Sequence, residues 1–137
     1  MRSAYLLLMV AACGRAGDAE VHANISLTQG LIASDVHSLE LTIAENTGTD
    51  GTPFTCAKLG SDWIVARSDA QIRDDRLLTP SGTNISNIAK GIALVVVLDA
   101  YSSANGLGNR IAHGCLDGVT IAGGQTKSIS ITLSPLK

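Results

Sequence analysis

Aromatic side chains are scarce in this 137-residue chain: Phe54, Trp63, Tyr5 and Tyr101 make up 3% of it, so any core is built from aliphatic residues. Few rings are then available to stack on sugars or bases. Basic clusters are also lacking. The ten lysines and arginines are scattered, the formal charge is −2, and no stripe resembles the footprint that nucleic acid requires. The only N-terminal apolar run, Ala4 to Val10, is far shorter than the roughly 20 residues needed to span a bilayer. Catalytic and cofactor motifs are missing as well. There is no G-x-S-x-G elbow, and His22, His37 and His113 have no histidine partner at ligand spacing, so they read as solvent-facing or satisfied strand residues. Gly106-Leu107-Gly108 lacks the third glycine and following helix of a dinucleotide site. Asn46-x-Gly48-x-Asp50-Gly51 opens like a calcium loop but places Ala57 where a bidentate glutamate belongs, so an Asx-rich turn explains it better. Asp74-Asp75 sits between Arg73 and Arg76 and reads as a solvated, charge-balanced loop. These absences lead us to expect no enzyme, no metal and no cofactor.

What is present begins at the N-terminus, with Arg2, the apolar run, and Val10-Ala11-Ala12 directly before Cys13. This arrangement resembles the lipobox of bacterial lipoproteins, in which a signal peptidase cuts before a cysteine that carries lipid. The resemblance implies that residues 1–12 are a signal peptide and that Cys13 is the acylated N-terminus of the mature protein. It further implies residence in the bacterial cell envelope. Gly14, standing where an aspartate often marks inner-membrane retention, favours the outer membrane. Three acyl chains, at about 0.8 kcal/mol per buried methylene, would make a permanent anchor. Residues 13–20 then form the lipidated cysteine and a small, polar tether, and 21–137 is a stretch sized for one domain. With Cys13 assigned to lipid, Cys56 and Cys115 remain, and an oxidising compartment makes them most simply a disulfide. Two separate buried thiols are the alternative.

Within 21–137 the hydrophobic period is two. Val21, Ala23, Ile25 and Leu27 alternate with polar residues, as do Leu39, Leu41 and Ile43, which predicts half-buried strands. Phe54–Leu59 and Asp62–Arg67 read as shorter strands. Ser68 and Gln71 have capping-box spacing ahead of Pro80, so a short helix or an irregular crossover is expected there. Another short strand is expected at Asn84–Ile88. Ile92 to Leu98 is apolar on both faces, so it is either a central strand covered on both sides or one whose exposed face is kept for a partner. Arg110–Leu116 returns as a strand after a hairpin loop. Around Gly123-Gly124, a loop of odd length with a left-handed glycine would put Val119 and Ile129 on one face. Seven to nine short strands without a helical period predict an all-β domain, a single antiparallel β-sandwich.

The C-terminal third, GIALVVVLDAY, a glycine loop, RIAHGCLDGVTIAGG and KSISITL, resembles small immunoglobulin-like or transthyretin-like sandwiches of bacterial surface lipoproteins. Such folds host many functions. The resulting expectation is a non-enzymatic structural or protein-binding envelope lipoprotein, held to the membrane through Cys13 and contacting an envelope or surface protein by a sheet face or edge. A carbohydrate- or small-ligand-binding module is the alternative.

Overall fold

The computed structural model describes residues 18–59, 63–82 and 84–136; Cys13 and the lipobox lie outside them. Seven strands form one sheet: β1 (Asp18–Leu27), β2 (Ser38–Ala44), β3 (Ile72–Leu78), β4 (Asn84–Ala89), β5 (Gly91–Tyr101), β6 (Arg110–Ile121) and β7 (Thr126–Pro135). Their spatial order is β3-β2-β5-β6-β7-β1-β4. All pairings are antiparallel except β1 with β7, which run parallel from Glu20↔Thr126 to Leu27↔Leu133. The alternating residues of β1 place Val21 and Ala23 inside, as their period requires, and the strand starts at Asp18, three residues before the alternation becomes clear.

The sheet curls until its two edges meet. Arg76 on β3 donates to the backbone carbonyls of Ser86 and Asn87 on β4, while its guanidinium is held by both oxygens of Asp74 at 2.9 Å. Unpaired edges invite other strands, and this clasp occupies both of them locally. The segment containing Asp74 and Asp75 is therefore a strand, not the solvated loop, helix or crossover expected. Its charges are absorbed by partners outside the strand: Arg73 pairs with Glu45 at 3.3 Å, and Asp75 with Arg67.

Two apolar clusters lie on opposite sides of β2 and β5. Inside the curl, Leu39, Leu41 and Ile43 of β2 meet Leu94, Val96 and Leu98 of β5. Outside it, Val95 and Val97 are covered by Phe54, Leu59 and Trp63, with the Phe54 and Trp63 rings edge to face at 6.0 Å. The doubly apolar β5 is thus core on both faces, and the reading in which Val95 and Val97 await a partner is overturned. The cover itself corrects a second expectation: Phe54–Leu59 and Asp62–Arg67 are not strands. The described parts hold two single-turn helices, α1 (Cys56–Leu59) and α2 (Trp63–Ala66), followed by a 3₁₀ turn at Arg67–Asp69. Thr55 starts α1, its hydroxyl accepting from Lys58 N at 3.3 Å and its carbonyl from Leu59 N at 3.2 Å. Leu59, at the end of α1, and Trp63, at the start of α2, reach the same surface.

β6 changes phase along its length. Ala112 and Gly114 turn inward in its first half, Val119 and Ile121 in its second, and between them Gly118 adopts φ +68°. One extra residue in a strand reverses which side chains face in, which is what a bulge does. The slip brings Val119 to the inner side with Ile129, while Gly124 takes the left-handed conformation in the turn. At Gly114 a Cβ would stand 2.6 Å from the Thr132 carbonyl oxygen, so only glycine lets β7 approach there.

Candidate functional site

The outer face of the sheet is polar where the apolar cover stops. Register places Glu40 of β2 opposite Asp99 of β5, and Asp99 opposite His113 of β6. Two carboxylates directly across a ladder repel each other, and Asp99 is only 1% exposed, so each needs compensation. Asp99 Oδ1 accepts from Arg110 Nη1 and faces His113 Nδ1, both at 2.9 Å. Glu40 Oε2 accepts from the Tyr101 hydroxyl at 2.9 Å, and its Oε1 lies 3.5 Å from Arg67 Nη1. Arg67 also donates to Thr42 Oγ1 at 3.2 Å, pairs with Asp75, and lies over the Trp63 ring at 5.6 Å. One guanidinium therefore fastens the cover to β2 and β3.

Glu40, Trp63, Arg67, Asp99 and Tyr101 surround a cavity of about 260 Å³. Among the described residues two buried polar side-chain atoms have no protein partner, Trp63 Nε1 and His113 Nε2. Such atoms are uncommon in folded proteins because desolvation costs roughly 1–3 kcal/mol each. The indole N–H is an obligate donor. With Nδ1–H directed at Asp99, the far nitrogen of a neutral His113 is an acceptor.

Electrostatics follow from the geometry. Burial holds the Glu40 carboxyl above its ordinary range, reinforced by its hydrogen bond with Asp75 and opposed by Tyr101 and Arg67. Burial and Glu40 together push the Tyr101 phenol upward. A carboxyl raised on folding binds its proton more tightly in the native state, so Glu40 contributes a stability that falls as pH rises from about 4.5 through its raised value. Glu40→Gln keeps the side chain's shape among Asp75, Asp99, Arg67 and Tyr101 and removes its titration. We expect the urea midpoint of wild type minus that of Glu40→Gln to fall across this window. A flat or rising difference would refute the assignment.

The other sequence candidates are placed as follows. Cys56 and Cys115 sulfurs are 2.08 Å apart, joining α1 to β6 across 59 residues as a disulfide. His113 shares the face of Cys115 but is bound to Asp99. His22 meets Asn84 Oδ1 between β1 and β4, and His37 is exposed. Asp50 accepts from the Thr52 amide and hydroxyl at 3.0 and 2.7 Å, which lowers its pKa and accounts for the turn that resembled a calcium loop. Among the described residues no three His, Cys, Asp or Glu side chains converge as a metal site. The polar cavity was not found from sequence. Its one legible sign is parity: Asp99 and Tyr101 continue the outer face of Val95 and Val97. A scan against protein-family models finds no match, and a search of curated proteins finds none.

Proposed function

We propose that the chain is a lipid-anchored protein of a bacterial outer membrane, acylated at Cys13, whose domain is an immunoglobulin-like or transthyretin-like sandwich serving as a non-enzymatic binding module. Among binding modes, the geometry favours a small polar ligand. The observation that carries this is the cavity lined by Glu40, Trp63, Arg67, Asp99 and Tyr101, where Glu40, Arg67 and Tyr101 keep part of their surface exposed. Concave sites with a few convergent polar groups are where small ligands bind. The test is an amide-shift titration of the domain with neutral, cationic and anionic small molecules. Changes clustered at Glu40, Asp99 and Tyr101 support the reading, and silence there for every compound ends it.

A second reading, contact with an envelope or surface protein, is favoured by one feature. Leu77 on β3 and Leu107 in the β5–β6 loop are 54% and 64% exposed, and Leu77 lies against the backbone of Gly106 beside Leu107. Cross-linking from Leu77 in intact envelopes would capture such a partner. The anchor has its own check: the native N-terminus should be an acylated Cys13 in the membrane fraction, and Cys13→Ala should yield soluble or unprocessed protein. A mature terminus at Met1 or Ala4 would remove the lipoprotein proposal and leave the cavity untouched.

A further inference from the structure

We infer that the cavity takes a neutral, polyhydroxylated ring, a single sugar unit; this rests on the ligand-binding reading above and names its chemistry. Charge decides first. The walls carry both signs, Glu40 and Asp99 against Arg67, and each is already paired within the protein: Glu40 with Arg67, Asp99 with Arg110, and Arg67 also with Asp75. A cation would meet Arg67, and an anion would meet two carboxylates, so a guest of either charge must break an existing pair. An apolar guest fares worse, because it would shut water away from the carboxylates and the guanidinium without replacing their hydrogen bonds.

Hydrogen-bond capacity decides next. Arg67, its side chain 29% exposed, presents N–H groups on a planar fork, while the Trp63 indole N–H stays buried behind the wall. Glu40, its side chain 19% exposed, offers acceptor oxygens, and the Tyr101 oxygen, whose hydrogen goes to Glu40, keeps its lone pairs; Asp99 is too deeply buried to join them. A guest must therefore donate and accept from neighbouring atoms at once. Hydroxyl groups do this, and adjacent hydroxyls on a ring match the paired oxygens of a carboxylate or the fork of a guanidinium. Size agrees: about 260 Å³ falls just under the roughly 300–1,000 Å³ of drug-sized sites, room for one ring and not an extended chain.

Trp63 is the chain's only tryptophan and lines this cavity, so its emission reports on the cavity and on the cover that Trp63 belongs to. The experiment titrates the whole domain with the methyl glycosides of glucose, mannose and N-acetylglucosamine, and in parallel with butylamine and acetate. The inference requires a saturable change in Trp63 emission with at least one glycoside and none with the charged probes. Tyr101→Phe, which removes one oxygen, should weaken that glycoside roughly tenfold, the scale of one hydrogen bond to a desolvated partner. Glu40→Gln, which keeps shape and loses charge, serves as the second variant should the first fail to fold. Saturation by amine or acetate instead would overturn the sugar assignment while leaving a ligand site in place. No response to any probe, or a glycoside response unchanged in both folded variants, would overturn the sugar assignment and count against the cavity itself.

Discussion

Val97→Asp will not fold. Val97 is fully buried on the outer side of β5, covered by Phe54, Leu59 and Trp63, and the nearby cation, Arg67, bonded to Thr42 opposite Val97, is already committed to Glu40 and Asp75. A carboxylate placed there is desolvated without a partner, a penalty of several kcal/mol against a total domain stability of about 5–15 kcal/mol. Circular dichroism and gel filtration should show an unfolded or aggregated chain. Ile92→Asp on the same strand is the control, because Ile92 is 79% exposed and its replacement should alter stability by no more than about 0.5 kcal/mol. A folded Val97→Asp protein with an unchanged melting temperature would mean that the cover does not close over the sheet.

Opening the Cys56–Cys115 bridge should have the next largest effect. It closes a loop across 59 residues, for which the chain-entropy relation gives about 4 kcal/mol. The double variant Cys56→Ala with Cys115→Ala should lose that amount in urea unfolding, and reductant should bring the wild type to the same midpoint. The cover depends on the bridge more than the sheet does, since α1 and α2 are single turns with little stability of their own. Trp63 emission should therefore change at lower urea than far-ultraviolet ellipticity. Two free thiols with an unshifted midpoint would show that the bridge carries no load.

These outcomes separate what the residues announce from what only the fold decides. β1, β2 and β5 were legible because alternation, or its absence on a doubly covered strand, is a property of each segment alone. The cover was misread as two strands because Phe54, Leu59 and Trp63 suit either period, and Thr55 as a helix start settles it locally. β3 was missed for a different reason. Arg73-Asp74-Asp75-Arg76 has no apolar rhythm, and it is a strand because Glu45, Arg67 and the carbonyls of β4 receive its charges. The cavity was harder still: Glu40, Arg67 and the Asp99–Tyr101 pair come from three places in the chain, and only the fold brings them together. The slip at Gly118 belongs to the same class, since it re-aims half a strand through one residue.

The parallel contact between β1 and β7 has a mechanical consequence. β1 lies between β7 and β4, and the chain enters it at Asp18, so tension arriving from the N-terminal side acts along the strand axis. Pulled this way, β1 must slide past β7 over the whole stretch from Glu20↔Thr126 to Leu27↔Leu133, and its bonds are loaded together. A hairpin peeled from one end loses its bonds in turn, at low force. Placing the entering strand inside the sheet, in shear, suits a domain that must stay folded while something tugs on it.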